Sequence, residues 1–274
     1  MNDTIMTDDG VTRILGCQLP PAGFVTSFPA LEDAVPTISA KDIEEIARSG
    51  DMDGRAKFDT SFIKDQRSHG SCNGFAAAAA LTRARIRRRL PRVDLSGAYI
   101  YSLINGGRDS GSLLEDGMKV MQSRGIATES TVGWDAIYPS RYDRAKADAE
   151  AERFKGFECY AVKSKEGLWT ALALNFDVVV AVHAGNAFMR LDSQGVCGVD
   201  SGPGNHAVAV DGLVWIDGQP VATGYNSWNT SYGNQGRMLM TWRHFSQPFG
   251  YHVFYAIRST GDDTQGDNPP DAKE

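Results

Sequence analysis

The apolar positions of the chain change period near residue 150. Before it they recur at helical spacing. Cys72 to about Leu90 reads as a long alanine-rich helix closed by Pro91, and Leu95 to Ile104 as a second. Ser112 to Arg124 is a third, with Leu113, Leu114, Met118 and Met121 on one face and Gly125 as its stop. Beyond residue 150 the pattern becomes short unbroken apolar runs, at Asp177–Val182, Ala207–Val210, Leu213–Ile216, Arg237–Trp242 and Val253–Ile257, with Gly and Asn turns between them. Helices first and strands second predict an α+β fold of two lobes rather than an alternating α/β sheet.

The same reading divides the chain. Residues 1–57 are an N-terminal extension, irregular around Pro20-Pro21, Pro29 and Pro36, with one short capped helix from Ser39 to Arg48 stopped by Gly50. Residues 58–150 form the helical lobe and 151–258 the β-rich lobe. Residues 259–274 are polar and acidic, contain Pro269-Pro270, and are expected to be disordered. No internal repeat is visible.

Composition narrows the function by exclusion. A net charge of −6 over 274 residues suits a soluble protein and gives no electrostatic case for nucleic acid. No apolar run approaches membrane-spanning length. Cys17, Cys72, Cys159 and Cys197 are widely spaced with no C-x-x-C pair, so neither a disulfide scaffold nor a zinc site is expected, and no cofactor is called for. The acidic N-terminus lacks an apolar signal-peptide core. A cytoplasmic, reducing setting is the expectation, with release by lysis or within a virion or other assembly as the alternative.

Candidate chemistry starts at Gln66-Arg67-Ser68-His69-Gly70-Ser71-Cys72-Asn73. A cysteine opening a helix sits where partial positive charge and unpaired N–H groups favour a thiolate. Alone, such a cysteine is more often just a small buried hydrophobe. Far downstream, Asn205-His206-Ala207 puts a histidine at the entry of an apolar strand, and Asn226-Ser227-Trp228 follows beside the next. A thiol near its ordinary pKa needs an imidazole partner to ionise at neutral pH, and the imidazole needs a group to fix its tautomer. A developing oxyanion needs donors, here the Cys72 backbone N–H and the Gln66 amide.

Gln-x5-Cys at a helix start, then Asn-His-Ala-Val, then Asn-Ser-Trp resembles the papain-like cysteine proteases over roughly residues 58–258. The resemblance implies a cleft between a helical lobe and an antiparallel β-barrel lobe, with peptide or protein substrates. It implies Cys72 as nucleophile, His206 as general base and acid, Asn226 as its orienter, Gln66 as oxyanion donor and Trp228 as a shield. By the same resemblance Gly111 and Ser112 pair with substrate backbone, Leu113, Leu114, Ala181 and Ala207 line an apolar pocket, and Asn205 flanks it. That pocket predicts an apolar residue two positions before the scissile bond.

Some residues depart from the family pattern. His69 stands where a disulfide cysteine is common, Asn73 where an aromatic is usual, Ser112 in place of a second glycine, and Asn229 in place of the glycine after Asn-Ser-Trp. The extension is short for the family's inhibitory prodomain and lacks its helical signature; wrapping the lobes is an alternative role. A related acyl-transfer enzyme (isopeptidase, deamidase or crosslinking enzyme) and a non-catalytic module of a larger assembly are the competing readings. Other groups read as structural. His69 is expected on a loop turned away from Cys72, and His183, His244 and His252 in supporting roles. Asp211 and Asp217 read as turn residues. Arg83, Arg85, Arg87, Arg88 and Arg89 complement a helix dipole, and Trp134, Trp169 and Trp242 are core or interlobe packing.

Overall fold

A computed structural model describes residues 3–56, 59–155, 157–246 and 254–259. The expected tail and His252 therefore fall outside the described residues, apart from Ser259. The elements in chain order are β1 (Thr4–Met6), β2 (Thr12–Ile14), β3 (Cys17–Gln18), α1 (Leu31–Ala34), α2 (Ala40–Ser49), α3 (Cys72–Arg87), α4 (Gly97–Ile104), β4 (Ser112–Leu113) and α5 (Leu114–Arg124). There follow α6 (Arg144–Ala151), β5 (Phe157–Val162), α7 (Lys165–Ala173), β6 (Asp177–Val182), β7 (His206–Ile216), β8 (Gln219–Tyr225), β9 (Arg237–Met240), α8 (Trp242–Phe245) and β10 (Phe254–Ser259). The α+β architecture is as the hydrophobic pattern predicts.

Helix α3 is the axis of the molecule. Every residue from Cys72 to Arg85 is buried, because α3 packs on α4 and α5 with one side and on β6, β7 and β10 with the other. Its run of alanines makes this close approach feasible. Gly74 marks the tightest point: a Cβ there would lie 2.3 Å from the Gly97 carbonyl oxygen of α4. One core lies between α3, α4, α5 and the near face of the sheet. A second fills the far face under α2, α7 and α8.

The sheet has six strands in the order β5-β10-β6-β7-β8-β9, and its pairings are antiparallel. Its described residues form an open sheet, not the closed barrel expected. The two strands expected at Ala207–Val210 and Leu213–Ile216 are one, β7, with a register shift between Val210 and Gly212. That irregularity aims Asp211 inward. Instead of a turn residue it is a fully buried ion-pair partner of Arg83 and Arg237, while Asp217 does occupy the β7–β8 turn at φ 48°. Arg83 and Arg87 are likewise more than dipole partners, since they reach Asp211 and Asp177 beneath the sheet. Trp169 and Trp242 pack together edge to face, but Trp134 is exposed rather than core, with Arg67 over its ring.

The extension carries more structure than its prolines suggest. β1 and β2 form a hairpin, and β3 pairs in parallel with β4 of the helical lobe. Farther on, Ala161 donates its N–H to Pro29 O, and Glu32 accepts hydrogen bonds from Ser164 at the start of α7. The extension thus straps both lobes.

Candidate active site

Cys72 is the first residue of α3, and His206 is the first residue of β7, the strand of the other lobe that packs against α3. His206 is fully buried. Its Nε2 lies 2.8 Å from Asn226 Oδ1, and its Nδ1 has no hydrogen-bond partner among the described residues. Asn226 follows the end of β8, and its N–H donates to Gly236 O in the turn before β9. Trp228 stacks on the imidazole with ring centres 4.4 Å apart and is itself fully buried. Phe188 packs edge-on against both rings, closing water out of the His–Asn pair, and no motif along the chain announces it.

Gln66 is also buried and fixed from both ends. Its Oε1 accepts from Ser227 Oγ at 2.6 Å and its Nε2 donates to His69 O at 2.8 Å, which turns the amide toward the loop before Cys72.

Family comparison decides the class. The model of the papain family cysteine proteases matches residues 49–247. The chain belongs to the papain family of cysteine proteases. Among its relatives are a vignain of Ricinus communis, 29% identical over 197 residues, covering 69% of this chain and 53% of that one. The cysteine proteinase EP-B 1 of Hordeum vulgare is 31% identical over 224 residues, covering 76% and 58%. The chain thus spans little more than half the length of these curated relatives. In fold it is similar to xylellain, a cysteine protease from Xylella fastidiosa, with a TM-score of 0.59 at 23% identity over 72% of this chain and 82% of that one.

Departures from the papain pattern become intelligible in the structure, because several compensate one another. Asn73 Nδ2 donates to Ser112 Oγ at 3.1 Å and to Leu113 O at 2.6 Å, so the two unusual residues hold each other. Asn229 has φ 57°, a conformation that favours glycine but that asparagine tolerates. Its amide bonds Asp9 and Asp65. His69 Nδ1 sits 3.0 Å from Asp109 Oδ2.

The cleft is occupied by the chain's own N-terminal arm. Gly16 O accepts the Ser112 N–H at 2.8 Å, and the Cys17 N–H donates to Asn205 O at 2.9 Å, so one short strand bridges the two lobes near Cys72. Gly16 is required there, since a Cβ would fall 1.9 Å from Gly70 O. Cys17 shares an apolar cluster with Cys72, Leu114, Ala181 and Ala207, and Leu19 lies against Gly204 beside Ala181. Of the expected pocket walls, Ala181 and Ala207 are cross-strand partners, Leu114 belongs to the same buried cluster, and Leu113 is partly buried. Gly111, at φ 84°, packs against the Gly16 carbonyl.

Arg13 anchors the arm, a role its place in an irregular extension did not signal. It is fully buried, with Nη2 2.6 Å from Asp9, Nη1 2.6 Å from Asp65, and further bonds to Thr7 Oγ1 and to the carbonyls of Arg67 and Trp228.

Burial reverses the expected ionisation. The Cys72 thiol is pushed up to about 11, chiefly by desolvation, with backbone hydrogen bonds from Ala207 and Gly16 opposing it. His206 is pushed down to about 4, again by desolvation first, against the Asn226 hydrogen bond and with help from Arg13. A low-pKa thiolate expected at the helix start is thus overridden by the loss of water. The other cysteines are free and buried, and His244 is satisfied by Thr241 and by the Cys197 carbonyl. His183 bonds Pro203 O.

Proposed function

We infer that the protein is a cysteine endopeptidase acting through Cys72 and held in a latent state by its N-terminal arm. One observation carries this reading: the cleft already binds an extended peptide. Gly16 to Gln18 lie near Cys72 with backbone hydrogen bonds to the helical lobe at Ser112 and to the sheet lobe at Asn205. A cleft that grips main chain from both walls suits substrates whose shared feature is main chain.

The arm is held but is not presented for attack. Its Gly16 carbonyl is taken by the Ser112 N–H, and the Gly16 backbone is close enough to the Cys72 sulfur to oppose the rise in its pKa. When the arm leaves, water enters and the thiol and imidazole can exchange a proton. The Cys72 thiolate then attacks the substrate carbonyl, and the Cys72 N–H and Gln66 amide take the oxyanion. His206, held through Nε2 by Asn226, protonates the leaving amine from Nδ1, its free nitrogen. A thioester remains, and water activated by the same imidazole hydrolyses it.

Leu19 against Gly204 and Ala181 supports an apolar preference two positions before the scissile bond. The four free, buried cysteines support a reducing, cytoplasmic setting. The test is hydrolysis of fluorogenic peptides with an apolar or a charged residue at that position, using the full chain and its Cys72→Ala variant. Cys72-dependent turnover of the apolar peptides is expected. Absence of both turnover and a Cys72 adduct with a peptidyl epoxide, in a chain whose arm has been loosened at Arg13, refutes the catalytic reading.

A further inference from the structure

The stretch from Gly106 to Ser112, which leads into the peptide-binding strand β4, is composed largely of glycine, serine and charged residues. Such a sequence has little stiffness of its own, because glycine leaves the backbone many conformations to lose. Yet β4 must stand at a fixed distance from Cys72 if a bound peptide bond is to meet the sulfur. No covalent link supplies that constraint, since the four cysteines are free.

Asp109 supplies it. Its Oδ1 accepts the Gly70 N–H at 2.8 Å, two residues before the nucleophile, and also the Tyr101 hydroxyl at 2.8 Å. Its Oδ2 lies 3.0 Å from His69 Nδ1. The Tyr101 oxygen in turn accepts the Gly111 N–H at 2.9 Å, and the next N–H along, that of Ser112, is the one that holds peptide in the cleft. One mostly buried carboxylate therefore connects the nucleophile loop directly, and β4 through a single hydroxyl. Asn73 ties the far end of β4 to the first turn of α3. Burial works against the charge on Asp109, but the hydrogen bonds from His69, Tyr101 and Gly70 hold its carboxyl below the usual range. Bonds to an ionised acceptor are the stronger kind.

We propose that Asp109 is a positioning residue of the catalytic centre, setting the separation of β4 from Cys72 so that a peptide bound on the strand meets the thiolate in register. The proposal rests on the peptidase reading above. The hydrogen bonds of Asp109 to Gly70, Tyr101 and His69 act on the nucleophile loop and on β4, so it governs how peptide is placed rather than how readily Cys72 ionises.

Two reagents separate these roles on the full chain. Iodoacetamide reads access to Cys72 and its ionisation. A peptidyl epoxide reads the same two quantities and, in addition, pairing with β4. The ratio of the two labelling rates at Cys72, measured by mass spectrometry, cancels opening of the arm. For Asp109→Ala the ratio should fall about tenfold, the scale of one to two hydrogen bonds. Asp109→Asn keeps an oxygen for Gly70 and Tyr101 and should restore most of it. Tyr101→Phe should lower it about threefold, the effect of one modest hydrogen bond, in a chain whose ring packing is intact. A ratio unchanged in both Asp109→Ala and Tyr101→Phe overturns the proposal while leaving the peptidase reading standing. An epoxide that fails on the unmodified chain while iodoacetamide labels it removes both.

Discussion

Arg13→Ala should open the cleft, and the size of the effect follows from which of its contacts cross from arm to body. Arg13 has no exposed side-chain area. Its bonds to Asp9 and Thr7 lie within the arm and can survive, hydrated, after release. Its bonds to Asp65, to the Arg67 carbonyl and to the Trp228 carbonyl cannot. Breaking a fully buried ion pair by deleting one partner costs about 3–5 kcal/mol. Here Asp65 keeps the Arg67 N–H and the Asn229 amide as donors and is 15% exposed, so a cost below that range, about 2 kcal/mol, is appropriate. The whole cost falls on the closed state, so the open fraction should rise roughly 30-fold.

The iodoacetamide labelling rate of Cys72 measures that fraction directly, and turnover of a fluorogenic peptide should rise with it. Asp65→Asn should act in the same direction. Combined with Arg13→Ala it should add little, because both remove one interaction. A labelling rate raised less than about threefold would refute the reasoning. Closure would then rest on the strand pairing at Gly16–Gln18 and on the contacts of Ser27 with Glu115, not on the buried guanidinium.

Acid should open the same arm in two stages. His206 is pushed down from 6.5 to about 4 in the closed state, so the open state binds the extra proton and closure weakens as pH falls from about 6.5 toward 4. Glu115, opposed by burial but held at about 2 by hydrogen bonds that include Thr26 and Ser27 of the arm, weakens it further between about 4.5 and 2; hydrogen exchange at the Cys17 and Ser112 amides, corrected for intrinsic rate, should follow that course, and a pH-independent rate would contradict it. Asn226→Ala should lower kcat of the opened enzyme about 10- to 100-fold with a smaller change in KM, the signature of a lost imidazole orienter; an equal loss in KM alone would point to substrate binding instead. Gly16→Val, which forces a side chain into Gly70 O, should raise Cys72 labelling without lowering the thermal midpoint of the two lobes, whereas a destabilised core with an unlabelled thiol would show that the arm had not moved.

Periodicity and residue type made much of this legible before any coordinates. α3, α4 and α5 follow from apolar spacing and from stops at Pro91 and Gly125, and Cys72, His206, Asn226 and Gln66 follow from the needs of a thiol nucleophile. What escaped lies in tertiary pairing. The β7 irregularity looks like a turn because Asp211-Gly212 has turn chemistry, yet Arg83 and Arg237 draw the carboxylate inward. β3 is two residues long and is held by backbone groups that any sequence could offer, so no side-chain pattern announces it. Arg13 becomes informative only when Asp65, fifty-two positions away, is seen beside it.

Placing peptide in the cleft and silencing the chemistry are one physical event. Burial pushes the Cys72 thiol up to about 11 and the His206 imidazole down to about 4, so the closed site favours a neutral thiol and a neutral imidazole. A steric plug alone would leave an ion pair ready behind it, reactive whenever the plug flickered. Here each brief opening must also hydrate the pair before a thiolate exists. Arg13 adds to this by placing its positive charge where it further disfavours the imidazolium. The residue that fastens the arm therefore also holds the base neutral, and losing it should unlock access and ionisation together.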